Sequence, residues 1–105
     1  MTELFAVRVR RGGPWDWSRG LREQDGFEAH ARFMDELVDE GFILLGGPLE
    51  NGRDVLHVIQ AASEHAIRER LAADPWSSNG MLTVTFIERW TVLLDGREVS
   101  RDRVS

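Results

Sequence analysis

Four stretches of the chain carry the apolar spacing of β-strands. Residues 4–10 alternate, so that Phe5, Val7 and Val9 share one side, and residues 82–90 alternate in the same way. Residues 42–47 are almost wholly apolar, residues 55–61 have apolar side chains at both parities, and both stretches are also predicted to be strands. The dipeptide Asn51-Gly52 lies between these two and is a strong turn signal, so we predict that they form a hairpin.

Two other stretches have helical spacing. From residue 27 to Gly41, apolar side chains recur at intervals of three and four, which predicts an amphipathic helix. We expect Asp25 to cap this helix and Gly41 to end it. A second helix is predicted from its cap, Ser63, to about residue 73. The pair Asp74-Pro75 ends it, because proline disfavours helical conformation in the residue before it.

The order β-α-β-β-α-β predicts an α+β fold, a ferredoxin-like antiparallel sheet with two helices on one face. Residues 1–105 are expected to form a single domain, with a charged tail over residues 97–105. Two helices cover only one face of the sheet, yet residues 42–47 and 55–61 are apolar at both parities. A second copy of the sheet would cover the other face, so we expect a homodimer, a dimeric α+β barrel with its sheets packed face to face.

Composition excludes several classes of function. The net charge of -5 argues against binding to nucleic acid or to an anionic membrane, both of which need clustered positive charge. The chain has neither cysteine nor lysine, which removes thiolate and Schiff-base chemistry. No apolar run approaches the ~20 residues of a membrane span, and the first residues do not resemble a secretion signal. We therefore expect a cytoplasmic protein.

One polar residue, His30, falls on the apolar stripe of the first helix, between Phe27 and Met34. In this fold the two helices lie side by side, so Asp74 at the end of the second helix is placed to face it. A carboxylate that holds one ring nitrogen leaves the other free to move a proton on a ligand. The alternative is a structural core histidine, since most buried polar groups serve packing. For His57, in the middle of a strand, we favour such a structural role with a bond to a neighbour.

Other residues are candidates for binding a small-molecule ligand. Residues 11–25 form a long connection that is either a lid or a loop pinned to the body by its tryptophans. Residues 76–80 are expected to be a polar turn. Arginine can bind an anionic group, tryptophan can form the wall of a pocket, and glycine allows a ligand or another backbone segment to approach closely. The candidates of these kinds are Arg8, Arg22, Trp15, Trp17, Trp76, Gly46, Gly47 and Pro48.

We expect neither a metal site nor a cofactor. The histidines His30, His57 and His65 lack the local spacing of metal-binding motifs. The sequence has no phosphate loop, nucleophile elbow or dinucleotide fingerprint. Any catalysis would then depend on side chains alone.

The pattern of His30, Gly41, Gly47-Pro48 and Asp74-Pro75 resembles the YCII-related (YciI-like) family of small bacterial proteins. The resemblance extends from the first helix to just after the second, and the long Trp15 and Trp17 loop departs from the shortest members. It implies a ferredoxin-like protomer, a dimeric α+β barrel, and an active-site pair corresponding to His30 and Asp74. One related branch removes chloride from a chlorinated hydroxyhydroquinone without a cofactor.

Three functions follow as hypotheses. The first is a cofactor-independent lyase or isomerase that acts on a small cyclic or aromatic molecule, with His30 as general acid/base and Asp74 as its orienting partner. The second is a noncatalytic ligand-binding or accessory dimer in which the histidine is structural. A cofactorless oxygenase is the third. Substitution of His30 separates the first two, because it would abolish turnover in one case and lower only stability in the other.

Overall fold

The computed structural model of the protein describes residues 2–97, which form one antiparallel sheet covered by helices. The strands lie in the order β2-β3-β1-β4. Every neighbouring pair is antiparallel. The predicted ferredoxin-like α+β fold is confirmed. The elements are β1 (Glu3–Arg11), α1 (Phe27–Asp39), β2 (Ile43–Pro48), β3 (Asp54–Ala61), α2 (Glu64–Ala72), α3 (Pro75–Ser78) and β4 (Leu82–Arg89).

The core lies between the sheet and α1 and α2. Alternation along β1 and β3 sends one set of side chains towards the helices, where they meet Leu37 of α1 and Ile67 and Leu71 of α2. The buried strand residues of this core are Phe5, Val7, Val9, Ile43, Ile59 and Ala61. Because Val7 pairs with His57, the histidine lies in the middle of this covered face.

The helix ends depart from the prediction at one cap. Gly26, not Asp25, is the N-cap of α1, with a φ of 79° and no side-chain hydrogen bond. The prediction for Asp25 was wrong. The carbonyl of an N-cap residue accepts the first hydrogen bond of its helix, but the backbone carbonyl of Asp25 accepts from the Trp76 indole instead. Gly41 follows the end of α1 with a φ of 80°, where glycine is favoured. Ser63 caps α2 as predicted, since its hydroxyl accepts from the backbone N–H of Ala66.

The expected polar turn at residues 76–80 is instead a short helix over most of its length. Asp74 caps α3, and its side chain accepts from the backbone N–H of Trp76. Proline at the first helical position suits this arrangement, because its missing N–H would have no partner there. Trp76 is buried, with 1% of its surface exposed, so this segment anchors the end of the domain.

The second face of the sheet carries exposed apolar side chains. Leu45, Leu56 and Phe86 are 57%, 37% and 39% exposed. Beyond Arg89, residues 90–95 continue without regular structure. The charged tail lies outside the described residues except for Arg97. No helix among residues 2–97 has the length and apolar character needed to cross a membrane.

Candidate functional site

A mostly apolar cavity of about 200 Å³ lies between the covered face of the sheet and the helices. Its floor comes from β1, β3 and β4, and its walls come from α1, α2, α3 and the loop after β1. One end of β2 forms its rim. The lining residues that matter below are Arg11, Trp15, His30, Gly46, Gly47, Pro48, His57, Asp74 and Trp76.

His30 and Asp74 form a close pair at the wall of this cavity. The His30 Nδ1 atom lies 2.8 Å from Asp74 Oδ2 and 3.0 Å from Asp74 Oδ1. The two side chains are 12% and 3% exposed, so both are largely withdrawn from solvent. His30 reaches this position because it lies on the covered side of α1, whereas Asp74 is fixed at the junction of α2 and α3. The pair leaves His30 Nε2 without a hydrogen-bond partner among residues 2–97.

Asp74 is held by more than the histidine. Its Oδ1 atom accepts from the backbone N–H of Trp76 at 3.0 Å, which satisfies one of the open donors at the start of α3. The carboxylate therefore links the cap of a helix to the imidazole ring. Such a shared anchor restricts the rotamer of Asp74 and so the orientation of His30.

Trp76 fixes the plane of the His30 ring. The two rings stack with centroids 3.9 Å apart and an interplanar angle of 11°. The Trp76 indole N–H donates to the backbone carbonyl of Asp25 at 2.9 Å, which ties α3 to the start of α1. Trp15 meets the edge of Trp76 at 5.5 Å and extends the aromatic wall. The imidazole is thus oriented by a carboxylate at one nitrogen and by an indole across its face.

The loop after β1 is organised by a buried amide. The Gln24 side chain donates to the backbone carbonyls of Asp16 and Arg19 and accepts from the backbone N–H of Asp16. This closes the loop on itself and presses Trp15, which is 6% exposed, into the body. Trp17 packs beside Trp15 but is 58% exposed and does not line the cavity. The loop is therefore pinned by Trp15, and Trp17 stays at its outer surface.

Gly46 makes room for a second histidine. A β-bulge in β2 shifts the register between Ile43 and Leu45, and this shift pairs Gly46 with His57. Continued without the bulge, the register of Ile43 would have placed Leu45 opposite His57. A Cβ atom on Gly46 would overlap the imidazole, lying 2.8 Å from Cε1 of His57. Close approach at Gly46 therefore accommodates a side chain of the protein itself.

His57 does not make the bond to a neighbour that we expected. Its Nδ1 atom is the one buried side-chain nitrogen or oxygen in residues 2–97 that lacks a hydrogen-bond partner. Burial, and to a lesser degree the nearby His30, lower the pKa of His57 to about 4, while Asp74 opposes this shift. The cavity thus contains a second imidazole that is neutral at pH 7. Its position on the floor was predictable from strand parity, but its lack of a partner was not.

Arg11 supplies the positive charge of the cavity. Its guanidinium lies 4.4 Å from the centroid of the Trp15 ring and donates to the backbone carbonyl of Gly52 at 2.9 Å. Partial burial lowers the pKa of Arg11, which nevertheless stays a cation near neutral pH. Arg11 was not among the candidates predicted from the sequence, because we ended the first strand at residue 10. Strand parity would have placed Arg11 with Val7 and Val9 on the covered face.

The two arginines proposed from sequence lie elsewhere. Arg8 is on the open face of the sheet, where its guanidinium lies 5.9 Å from the Phe86 ring centroid, because its parity is opposite to that of Val7 and Val9. Arg22 lies in a short 3-10 turn and is exposed, whereas its neighbour Leu21 lines the cavity. Neither arginine contributes to this cavity.

No group of three or more histidine, aspartate or glutamate side chains within residues 2–97 is arranged to hold a metal ion. His65 pairs with Glu69 on the outer side of α2, and its side chain is 81% exposed.

Comparisons with known proteins agree with the fold. The YCII-related domain matches residues 18–91, which is more than half of the 105-residue chain. A solved structure, the 5-chloro-2-hydroxyhydroquinone dehydrochlorinase of Burkholderia phenoliruptrix in complex with 2,5-dihydroxybenzoquinone, superposes with a TM-score of 0.61 and 23% identity. The match covers 84% of this chain and 93% of that one. No curated protein sequence matches the chain. The family resemblance noted from the sequence is confirmed, and the chain belongs to the YCII-related family.

Proposed function

We propose that this protein is a cofactor-independent lyase or isomerase that moves a proton on a small cyclic or aromatic molecule. His30 is the general acid/base, and Asp74 is its orienting partner. The observation that carries the proposal is the 2.8 Å contact between His30 Nδ1 and Asp74 Oδ2 at the wall of a cavity. General acid-base catalysis needs a side chain that is held in position and has a free nitrogen to exchange a proton with the ligand.

We infer a separate task for each nitrogen of His30. Nδ1 donates to the Asp74 carboxylate, which selects the tautomer and balances the positive charge that develops when the ring accepts a proton. Nε2 is then the atom that takes the proton from the ligand and returns it. The stacked Trp76 ring holds the imidazole in one plane, so proton transfer needs little reorganisation of the site.

Arg11 is placed to compensate the charge left on the ligand. Removal of a proton from the carbon next to a carbonyl leaves an enolate oxygen, and removal of the proton of a ring hydroxyl leaves a phenolate oxygen. A preoriented cation in a site with apolar walls stabilises such an oxyanion more strongly than water would. Arg11 meets this requirement, since Trp15 and the carbonyl of Gly52 fix its direction before any ligand enters.

The cavity size limits the ligand. An apolar cavity of about 150 Å³ is known to hold benzene. The cavity here is about 200 Å³, so one ring with a few small substituents fits. The similar structure from Burkholderia phenoliruptrix is a dehydrochlorinase of a hydroxyhydroquinone and binds a dihydroxybenzoquinone. This supports hydroxylated rings as the first compounds to test.

The test combines binding and turnover. Quenching of Trp15 and Trp76 fluorescence by 2,5-dihydroxybenzoquinone measures binding, and chloride release measures turnover of 5-chloro-2-hydroxyhydroquinone. We expect His30→Ala to lower turnover by about 10²–10⁴-fold. The matched control is His65→Ala, which removes an exposed histidine and should leave turnover unchanged. Equal turnover in wild type and His30→Ala would contradict the proposal and favour a structural histidine.

We also propose that a second copy of the chain covers the open face of the sheet. The support is the apolar group formed by Leu45, Leu56 and Phe86, which one protomer leaves exposed. Phe86→Glu should shift the protein to a monomer in sedimentation velocity. Val38→Glu is the control, because Val38 is 53% exposed but lies on α1. A wild-type monomer at micromolar concentration would contradict this proposal.

A further inference from the structure

The function proposed above leaves one buried polar group unused. His57 is 8% exposed, lines the same cavity as His30, and has no partner at Nδ1. Buried polar atoms in native proteins are nearly always hydrogen-bonded, so an exception calls for an explanation. The explanation lies in how the two ring nitrogens differ.

The Nδ1 side of the ring is sealed by the protein. It packs on the backbone of Gly46, which the β2 bulge brings opposite His57. No acceptor is available there within the described residues, so a proton on Nδ1 would be a buried donor without a partner. A buried lone pair is tolerated better than a buried N–H. The neutral ring therefore carries its single proton on Nε2.

Burial, more than the nearby charges, keeps the His57 ring neutral. His30 and Asp74 act on it from the helix side with opposite signs, and Arg11 adds a further positive charge to the cavity lining. Burial lowers the pKa of His57 to about 4, well below neutral pH. Nε2 is also unpartnered within residues 2–97, but unlike Nδ1 it is not sealed from accessible space. It is thus a neutral N–H donor that needs an acceptor.

We propose that His57 is a ligand-binding residue of this cavity and donates its Nε2–H to an oxygen of the bound molecule. The ligand class is a small ring that carries a carbonyl, enolate or phenolic oxygen. This inference rests on the proposed function only in that both place a small cyclic molecule in the cavity. His30 acts from the helix wall and His57 from the sheet floor, so the two histidines address different atoms of one ligand.

The tautomer can be measured without a ligand. Long-range ¹H–¹⁵N spectra at pH 7 distinguish a protonated from an unprotonated ring nitrogen, and His57→Gln assigns the signals by their loss. We expect His57 to be neutral with the proton on Nε2. A proton on Nδ1, or a charged ring, would overturn the inference whatever the protein binds.

A matched pair of probes tests the hydrogen bond itself. 4-Fluorophenol and 4-fluorotoluene have similar shapes, but only the phenol offers an oxygen, and ¹⁹F NMR gives the dissociation constant of each. We expect the wild type to prefer the phenol by about five- to tenfold, the value of one neutral hydrogen bond. His57→Phe should abolish the preference, and His57→Gln should restore part of it, since its amide also donates.

The outcomes separate the two proposals. If wild type and His57→Phe show the same preference for the phenol, His57 is not the donor, whereas the role of His30 stands. If neither probe binds the wild type, the cavity is not a site for such rings and this inference fails with the proposed ligand class. If His57→Phe does not fold, the comparison of wild type with His57→Gln decides: a preference equal to that of the wild type contradicts the donor role of His57, and a reduced preference with retained binding of 4-fluorotoluene supports it.

Discussion

Replacement of Asp74 by alanine should destabilise the fold more than the loss of an ordinary helix cap. The substitution removes the acceptor for the Trp76 backbone N–H, and an N-cap is worth about 1 kcal/mol. It also leaves His30 Nδ1 without its partner in a largely buried position, which costs about 1–3 kcal/mol. The free energy of unfolding should therefore fall by about 2–4 kcal/mol, a large part of the 5–15 kcal/mol typical of a domain.

Urea unfolding followed by tryptophan fluorescence measures this loss. Ser63→Ala is the matched control, because Ser63 caps α2 through its hydroxyl but contacts no buried histidine. It should cost only about 1 kcal/mol. A double-mutant cycle with His30→Ala then isolates the pair, and a coupling of at least about 1 kcal/mol is expected. If Asp74→Ala costs no more than Ser63→Ala, the contact with His30 contributes nothing and the reasoning is refuted.

Three further predictions concern groups around the cavity. Gly46→Ala should lower the free energy of unfolding by about 1–3 kcal/mol, measured by thermal unfolding, because its Cβ atom would overlap His57. Gly47→Ala should lower it by less, because no atom lies within 4 Å of a Cβ at that position, and equal losses would contradict the role of Gly46. Trp76→Phe, which loses the indole donor to a backbone carbonyl, should destabilise by about 1–3 kcal/mol, and Trp17→Phe at the exposed surface by less than about 0.5 kcal/mol, when both are unfolded in urea. The pKa of His57 lies at about 4 in the folded protein against 6.5 for an ordinary histidine, so between these pH values only the unfolded state binds this proton. The free energy of unfolding should therefore fall by about 3 kcal/mol as the pH drops from 6.5 to 4. A pH profile of unfolding in which His57→Phe loses as much stability as wild type would rule this out.

The strands and the two longer helices were predictable because their periodicities are strong and local. Each end of a predicted strand lies within one residue of the observed bound. The short helix α3 was missed because four residues with a proline and two serines carry no period, and only tertiary contacts of Trp76 define it. The cap of α1 was missed for a similar reason, since Asp25 is recruited by the distant Trp76.

The candidate site was likewise predictable only where it follows from the sequence pattern and the topology. That His30 and Asp74 could face each other followed from the topology, and the structure brings them into contact. Arg8 was proposed although its parity is opposite to that of Val7 and Val9, and Arg11 was missed because the predicted strand ended at residue 10. The environment of His57 could not be foreseen, because it depends on a bulge in β2 that the sequence pattern does not mark.

The central claim is that His30 moves a proton on a ring in this cavity, and hydrogen–deuterium exchange tests it without a known leaving group. ¹H NMR in D₂O follows the loss of carbon-bound hydrogens next to the carbonyl in a panel of small cyclic ketones. We predict that wild-type protein accelerates exchange in at least one ring that fits the cavity, and that His30→Ala loses about 10²–10⁴-fold of this acceleration while His65→Ala retains it. Exchange that is not accelerated by wild type, or is accelerated equally by His30→Ala, would contradict the account.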